Sequence, residues 1–191
     1  MTSRILSLLV VLSLTPVLHA QPEAPPKYQI YGGYSFFTNS LNGVPVSHHP
    51  LSGWDAAVGF PSWHNLRFKI DVSAYSGTNL GAQQKPYFVQ GGGQYSGQLG
   101  RESVFVEGLG GVGGVNRNWG ANASTGQTAS FTGMLGGGLD TRLTRHVAFR
   151  VAGDFQYAYF ALAKGANLTP YRIAGLPTNF GRVTSGVVFQ F

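Results

Sequence analysis

The residues best equipped for chemistry in this sequence are few and unevenly placed. Five of its seven acidic residues (Asp55, Asp71, Glu107, Asp140 and Asp154) fall inside segments where apolar and polar residues alternate. Five basic residues (Arg67, Lys69, Arg142, Arg150 and Arg182) occupy the same alternating positions. Similar numbers of carboxylates and cations on one face suit an enclosed network of ion pairs, because a buried charge needs a partner to offset its desolvation. The expected network sets Lys69, Arg142, Arg150 and Arg182 against Asp71, Glu107, Asp140 and Asp154. The same charges can instead line a narrow conducting path.

Catalytic and metal chemistry find less support. The sequence has no cysteine, which removes disulfides, thiolate metal sites and a cysteine nucleophile. Beyond residue 20 the histidines are His48, His49, His64 and His146. His48 and His49 are neighbours without a convergent third ligand, and zinc usually takes four. A lipid-modifying hydrolase would need a serine activated by an adjacent histidine, and no histidine falls within an alternating segment. Gly108-Leu-Gly-Gly-Val-Gly113 matches G-x-G-x-x-G, but Asn116-Arg-Asn-Trp-Gly120 follows where a phosphate-binding helix should start. Two Asn-x-Ser/Thr triplets, at Asn122 and Asn167, match a glycosylation sequon and carry little weight. Neither an enzyme nor a cofactor is expected.

Composition shows what must position the charges. The chain has 191 residues, 43% apolar and 13% aromatic, with 28 glycines and only 10% charged. Soluble domains carry about 25% charged residues, so large apolar surfaces must remain uncovered by charge. Residues 1–20 read as a cleavable signal peptide, with Arg4 in a short basic start and an apolar stretch from Ile5 to Leu18. That stretch is shorter than the roughly 20 apolar residues that span a bilayer as a helix. Residues 21–26, rich in proline, form a linker. No later run is long enough for a membrane helix, so a membrane protein of this sequence must cross as strands.

From residue 27 to 191 the period is two. Eight strands are expected, over 27–38, 53–60, 66–76, 86–96, 102–115, 130–143, 147–160 and 180–191. The links 61–65, 97–101 and 144–146 are tight, whereas 39–52, 77–85, 116–129 and 161–179 are longer. Long loops at one end and short turns at the end holding both termini are the pattern of an outer-membrane barrel. A soluble carrier of the lipocalin sort would turn the apolar face inward. Here the apolar face is essentially free of charge and carries aromatics toward both ends, as a lipid-facing wall does. One set is Tyr28, Phe60, Tyr95, Phe189 and Phe191. The other is Tyr34, Phe36, Trp54, Tyr87, Phe131 and Tyr159.

The blocks Tyr31-Gly-Gly-Tyr-Ser35, Gly136-Gly-Gly-Leu-Asp-Thr-Arg-Leu-Thr-Arg-His-Val-Ala-Phe-Arg150 and Val187-Val-Phe-Gln-Phe191 resemble the small bacterial outer-membrane β-barrels of the OmpA/OmpX type. The resemblance runs from Lys27 to Phe191. It implies an all-β, eight-stranded antiparallel up-and-down transmembrane barrel in the bacterial outer membrane. The implied role is structural or surface-interactive, with a narrow porin-like channel or a lipid-modifying enzyme as the alternatives. Val187, Phe189 and Phe191 are similar to the signal read by the family's barrel-assembly machinery. No peptidoglycan-binding domain is expected after the last strand. Lipids, and lipopolysaccharide met by Lys85, Arg117, Lys164 and Arg172 of the long loops, are the other implied partners. No nucleic-acid partner is expected, and the loops name no extracellular ligand.

Overall fold

A computed structural model describes residues 28–38, 51–79, 82–118, 128–159 and 177–191. The expected signal peptide, linker and His48–His49 pair lie outside these residues. Eight strands run β1 (Gln29–Thr38), β2 (Leu51–Pro61), β3 (Leu66–Asn79), β4 (Ala82–Leu99), β5 (Glu102–Asn118), β6 (Thr128–Arg142), β7 (Val147–Tyr159) and β8 (Pro177–Gln190). Each pairs antiparallel with its sequence neighbours, and β8 pairs with β1 to close the barrel. Closure leaves no unpaired edge.

The alternation in the sequence becomes an inside and an outside. On β3, Phe68 and Ile70 are exposed while Arg67, Lys69, Asp71 and Ser73 are buried. On β7, Phe149, Val151, Phe155 and Tyr157 face out while Arg150, Asp154 and Gln156 face in. The apolar face is therefore on the outside, the reverse of a soluble ligand-binding barrel. The exterior aromatics gather near both rims; Tyr28 and Phe60 meet edge to face at 6.4 Å on the turn side.

Local chemistry fixes the tight turns. Leu99 pairs with Glu102, leaving Gly100 and Arg101 as a two-residue connection. Gly100 has φ 66°, and glycine at the first central position is what a type II′ hairpin turn requires. Between β2 and β3 the left-handed position is taken by His64, at φ 51°. Between β6 and β7, the Thr144 hydroxyl accepts from the backbone N–H groups of His146 (3.3 Å) and Val147 (3.0 Å). The Phe191 N–H donates to the Tyr28 carbonyl at 3.0 Å, extending the closing seam.

The main correction concerns the loop end. Residues 77–85 were expected as a long loop, yet Gly77, Thr78 and Asn79 pair with Gln84, Gln83 and Ala82, leaving only 80 and 81 between strands. Likewise β5 extends through Asn116-Arg-Asn118, pairing with β4. Where a hairpin rises into water neither face must be apolar, so the ladder continues after the alternation has faded.

Candidate functional site

Among the described residues, carboxylates and cations converge in the lumen, and glycine helps make room for them. A Cβ at Gly136 would collide with the Asp154 carboxylate, and one at Gly59 with the Arg67 side chain. Both glycines lie on inward positions beside a longer charged residue, so the strand gives up its own side chain to accommodate a neighbour's.

Three tiers fill the interior. In the middle tier Arg182 is the hub. Its Nε donates to Asp154 Oδ2 at 2.8 Å and its Nη1 to Asp71 Oδ1 at 3.2 Å, while Asp55 Oδ2 lies 3.4 Å from Nη1. Lys69 joins this tier to the wall opposite, with Nζ 3.1 Å from Asp71 Oδ2 and donating to Glu107 Oε1 at 2.9 Å. Gln94 Nε2 also donates to Glu107 Oε2, at 2.8 Å, while Gln94 Oε1 accepts from Arg67 Nη1 at 3.0 Å.

Toward the turns, Arg150 grips Asp140 with two hydrogen bonds, Nε to Oδ1 at 2.6 Å and Nη2 to Oδ2 at 2.7 Å. Its guanidinium also lies 4.3 Å from the centre of the Phe105 ring and 5.4 Å from that of Tyr31. A bidentate pair roofed by an aromatic face is among the stronger arrangements open to arginine. A small cavity beside this tier, lined by Gln29, Tyr31, Ala57, Gly59, Lys69, Gln94 and Arg150, has room for about one water.

Toward the loops the polarity changes. Phe37, Leu51, Tyr75, Phe88, Ala158 and Phe180 form a buried cluster across the barrel. The Phe37 ring lies 4.4 Å from Phe180, 4.9 Å from Tyr75 and 5.8 Å from Phe88. The Tyr75 hydroxyl shares a hydrogen bond of 3.0 Å with Ser35, so its polar tip is satisfied beneath the rings. This aromatic lid was missed in the sequence. Its signal was aromatic residues at positions of charged parity near the loop ends of β1, β3, β4 and β8.

Among the residues expected in the network, the structure brings Lys69, Asp71, Glu107, Asp154 and Arg182 together and pairs Arg150 with Asp140. Arg142 is a correction: it is exposed at the end of β6, one position beyond the last filled layer, where inward parity no longer means enclosure. Its removal leaves five buried carboxylates (Asp55, Asp71, Glu107, Asp140 and Asp154) with four buried cations (Arg67, Lys69, Arg150 and Arg182). The glycine motif at 108–113 lies within β5, with no helix start for a nucleotide. His64 and His146 sit in exposed turns, and His146 Nδ1 lies 3.1 Å from the Gln190 carbonyl. At the C-terminal strand Phe189 and Phe191 face outward and Val187 is half-buried.

No protein-family model matches the sequence. No curated protein matches it either. Solved structures do. Neisserial surface protein A superposes with a TM-score of 0.59 at 14% identity, covering 90% of this chain and all of that one. Ail, the attachment invasion locus protein of Yersinia pestis, gives 0.57 at 14% identity, over 88% of this chain and 100% of that one. The N-terminal β-barrel domain of Pseudomonas aeruginosa OprF gives 0.51 at 13% identity, over 87% and 98%. With its apolar wall outward and its charges enclosed, the chain has the fold of the small eight-stranded outer-membrane β-barrels.

Proposed function

We propose that this protein is a non-catalytic integral barrel of the bacterial outer membrane, a closed scaffold whose work is done by the surface it presents beyond the bilayer. The observation that carries this is the double closure of the lumen, by the Arg182-centred ion pairs and by the aromatic lid stacked on the loop side of them. A path for solutes would have to break paired charges in a low dielectric and then part four rings, and both steps are costly. The alternating, lipid-compatible exterior supports the membrane placement, with strand ends girdled by aromatic residues.

Recording in planar bilayers tests this. The purified barrel should give no stepwise current, and regular unitary steps would establish the porin-like channel instead. In biogenesis, Val187, Phe189 and Phe191 serve as the signal for the assembly machinery. Deleting Phe191 should lower the level of folded barrel in the outer membrane of cells, and an unchanged level would refute that role. On the loop side, Lys85 is exposed, which supports a contact with the anionic headgroups of lipopolysaccharide. The structural neighbours include an attachment invasion locus protein, and an attachment role of the loops in this chain is the form of surface interaction that such a scaffold suits.

A further inference from the structure

Arg142, displaced from the lumen, has company. Arg101 is the second residue of the β4–β5 turn, and the Arg142 N–H donates to the Arg101 carbonyl at 3.0 Å, so the two arginines lie side by side on the turn rim. Arg145 stands on the following turn, held in shape by the Thr144 hydroxyl. All three are exposed. The neighbouring acid, Glu102, is half-buried and already accepts from the Thr141 hydroxyl at 2.7 Å. Among the described residues, no carboxylate lies within ion-pair distance of Arg101, Arg142 or Arg145.

The surroundings say what the counter-charge is. Leu99 and Leu143 are exposed next to these arginines, and Trp63, at 72% exposure, crowns the adjacent β2–β3 turn. Tyr28, Phe60 and Phe191 complete an aromatic girdle on the same side. Cations that begin where a lipid-facing girdle ends sit at the depth of lipid headgroups. A guanidinium presents a planar fork of donors that matches a phosphate in two-point contact. We propose that Arg101, Arg142 and Arg145 form a binding surface for the phosphate groups of anionic phospholipids in the leaflet on the turn side. The proposal rests on the membrane-spanning reading above. It adds a headgroup preference and a place for it.

The test uses the full barrel refolded in phosphatidylcholine vesicles with spin-labelled phosphatidylglycerol or spin-labelled phosphatidylcholine as probe, reading the motionally restricted lipid by electron spin resonance. The parent should prefer phosphatidylglycerol. That preference should fall roughly fivefold for each arginine removed and vanish in the triple variant Arg101→Gln, Arg142→Gln, Arg145→Gln. It should be only partly retained in the matching triple Arg→Lys variant, which keeps the charge and loses the fork, and survive in full in Lys85→Gln at the opposite rim. Equal restriction of both probes by the parent, or an undiminished preference in the triple glutamine variant, would overturn the proposal. Inorganic phosphate should compete no better than chloride at equal ionic strength, and stronger competition would overturn the lipid assignment in favour of a free-phosphate site. Heat-modifiable gel mobility of every sample reports barrel insertion separately, so a failure of the membrane reading is distinguishable from a failure of the headgroup preference.

Discussion

The two halves of the lumen solve the same packing problem with opposite chemistry. Near the loops, Phe37, Tyr75, Phe88 and Phe180 fill the cylinder with rings, and the contact is non-directional. At mid-height the filling is ionic and depends on matched distances around Arg182. Apolar packing tolerates adjustment, whereas a buried charge whose partner is lost has nowhere to go. The aromatic half should therefore yield by degrees and the ionic half abruptly.

Several measurements break or sharpen that contrast. Arg182→Met should have the largest effect, because it strands Asp55 and Asp154 and leaves Asp71 with Lys69 alone; a loss of about 3–5 kcal/mol is expected in urea unfolding from lipid vesicles. Phe37→Ala removes the ring at the centre of the lid and should cost about 3–5 kcal/mol at most, reduced if Phe180 and Phe88 close the gap. If the lid is what seals the loop end, the same variant should show more frequent current flickers in planar bilayers than the parent. Ile70→Arg, on the lipid face of the same strand as Lys69 and Asp71, should cost about 2–4 kcal/mol. An Ile70→Arg barrel as stable as the parent would reverse the assignment of faces. Arg142→Gln should change stability by no more than about 0.5 kcal/mol, as expected of a residue outside the network. A cost comparable to that of Arg182→Met would return Arg142 to the lumen.

Much of this organisation was legible because membrane and lumen impose opposite polarity on successive residues. Lys69 and Asp71 between Phe68, Ile70 and Val72 declare both strand and facing, and the structure keeps that register. Arg142 shows where parity stops informing: alternation tells which way a residue points and is silent on whether the barrel still encloses it there. The lid was illegible for a related reason. Phe37 and Phe88 carry the parity of the charged face, and an aromatic residue there has no pattern of its own until closure brings β1, β3, β4 and β8 around one axis. The hub at Arg182 was hidden in part: Asp154 is its direct cross-strand partner on β7, whereas Asp55 and Asp71 come from β2 and β3 and reach it only once the barrel closes.

The uneven strand lengths carry a consequence for whatever meets this protein from outside. β1 has 10 residues and β4 has 18. With a rise of about 3.3 Å per residue and a tilt near 40°, the shorter strand climbs roughly 25 Å and the longer roughly 45 Å. On the β4–β5 flank the paired strands thus continue beyond the hydrocarbon boundary as a stiff parapet braced by cross-strand bonds. A macromolecule approaching that flank would meet a height set by hydrogen-bonded backbone.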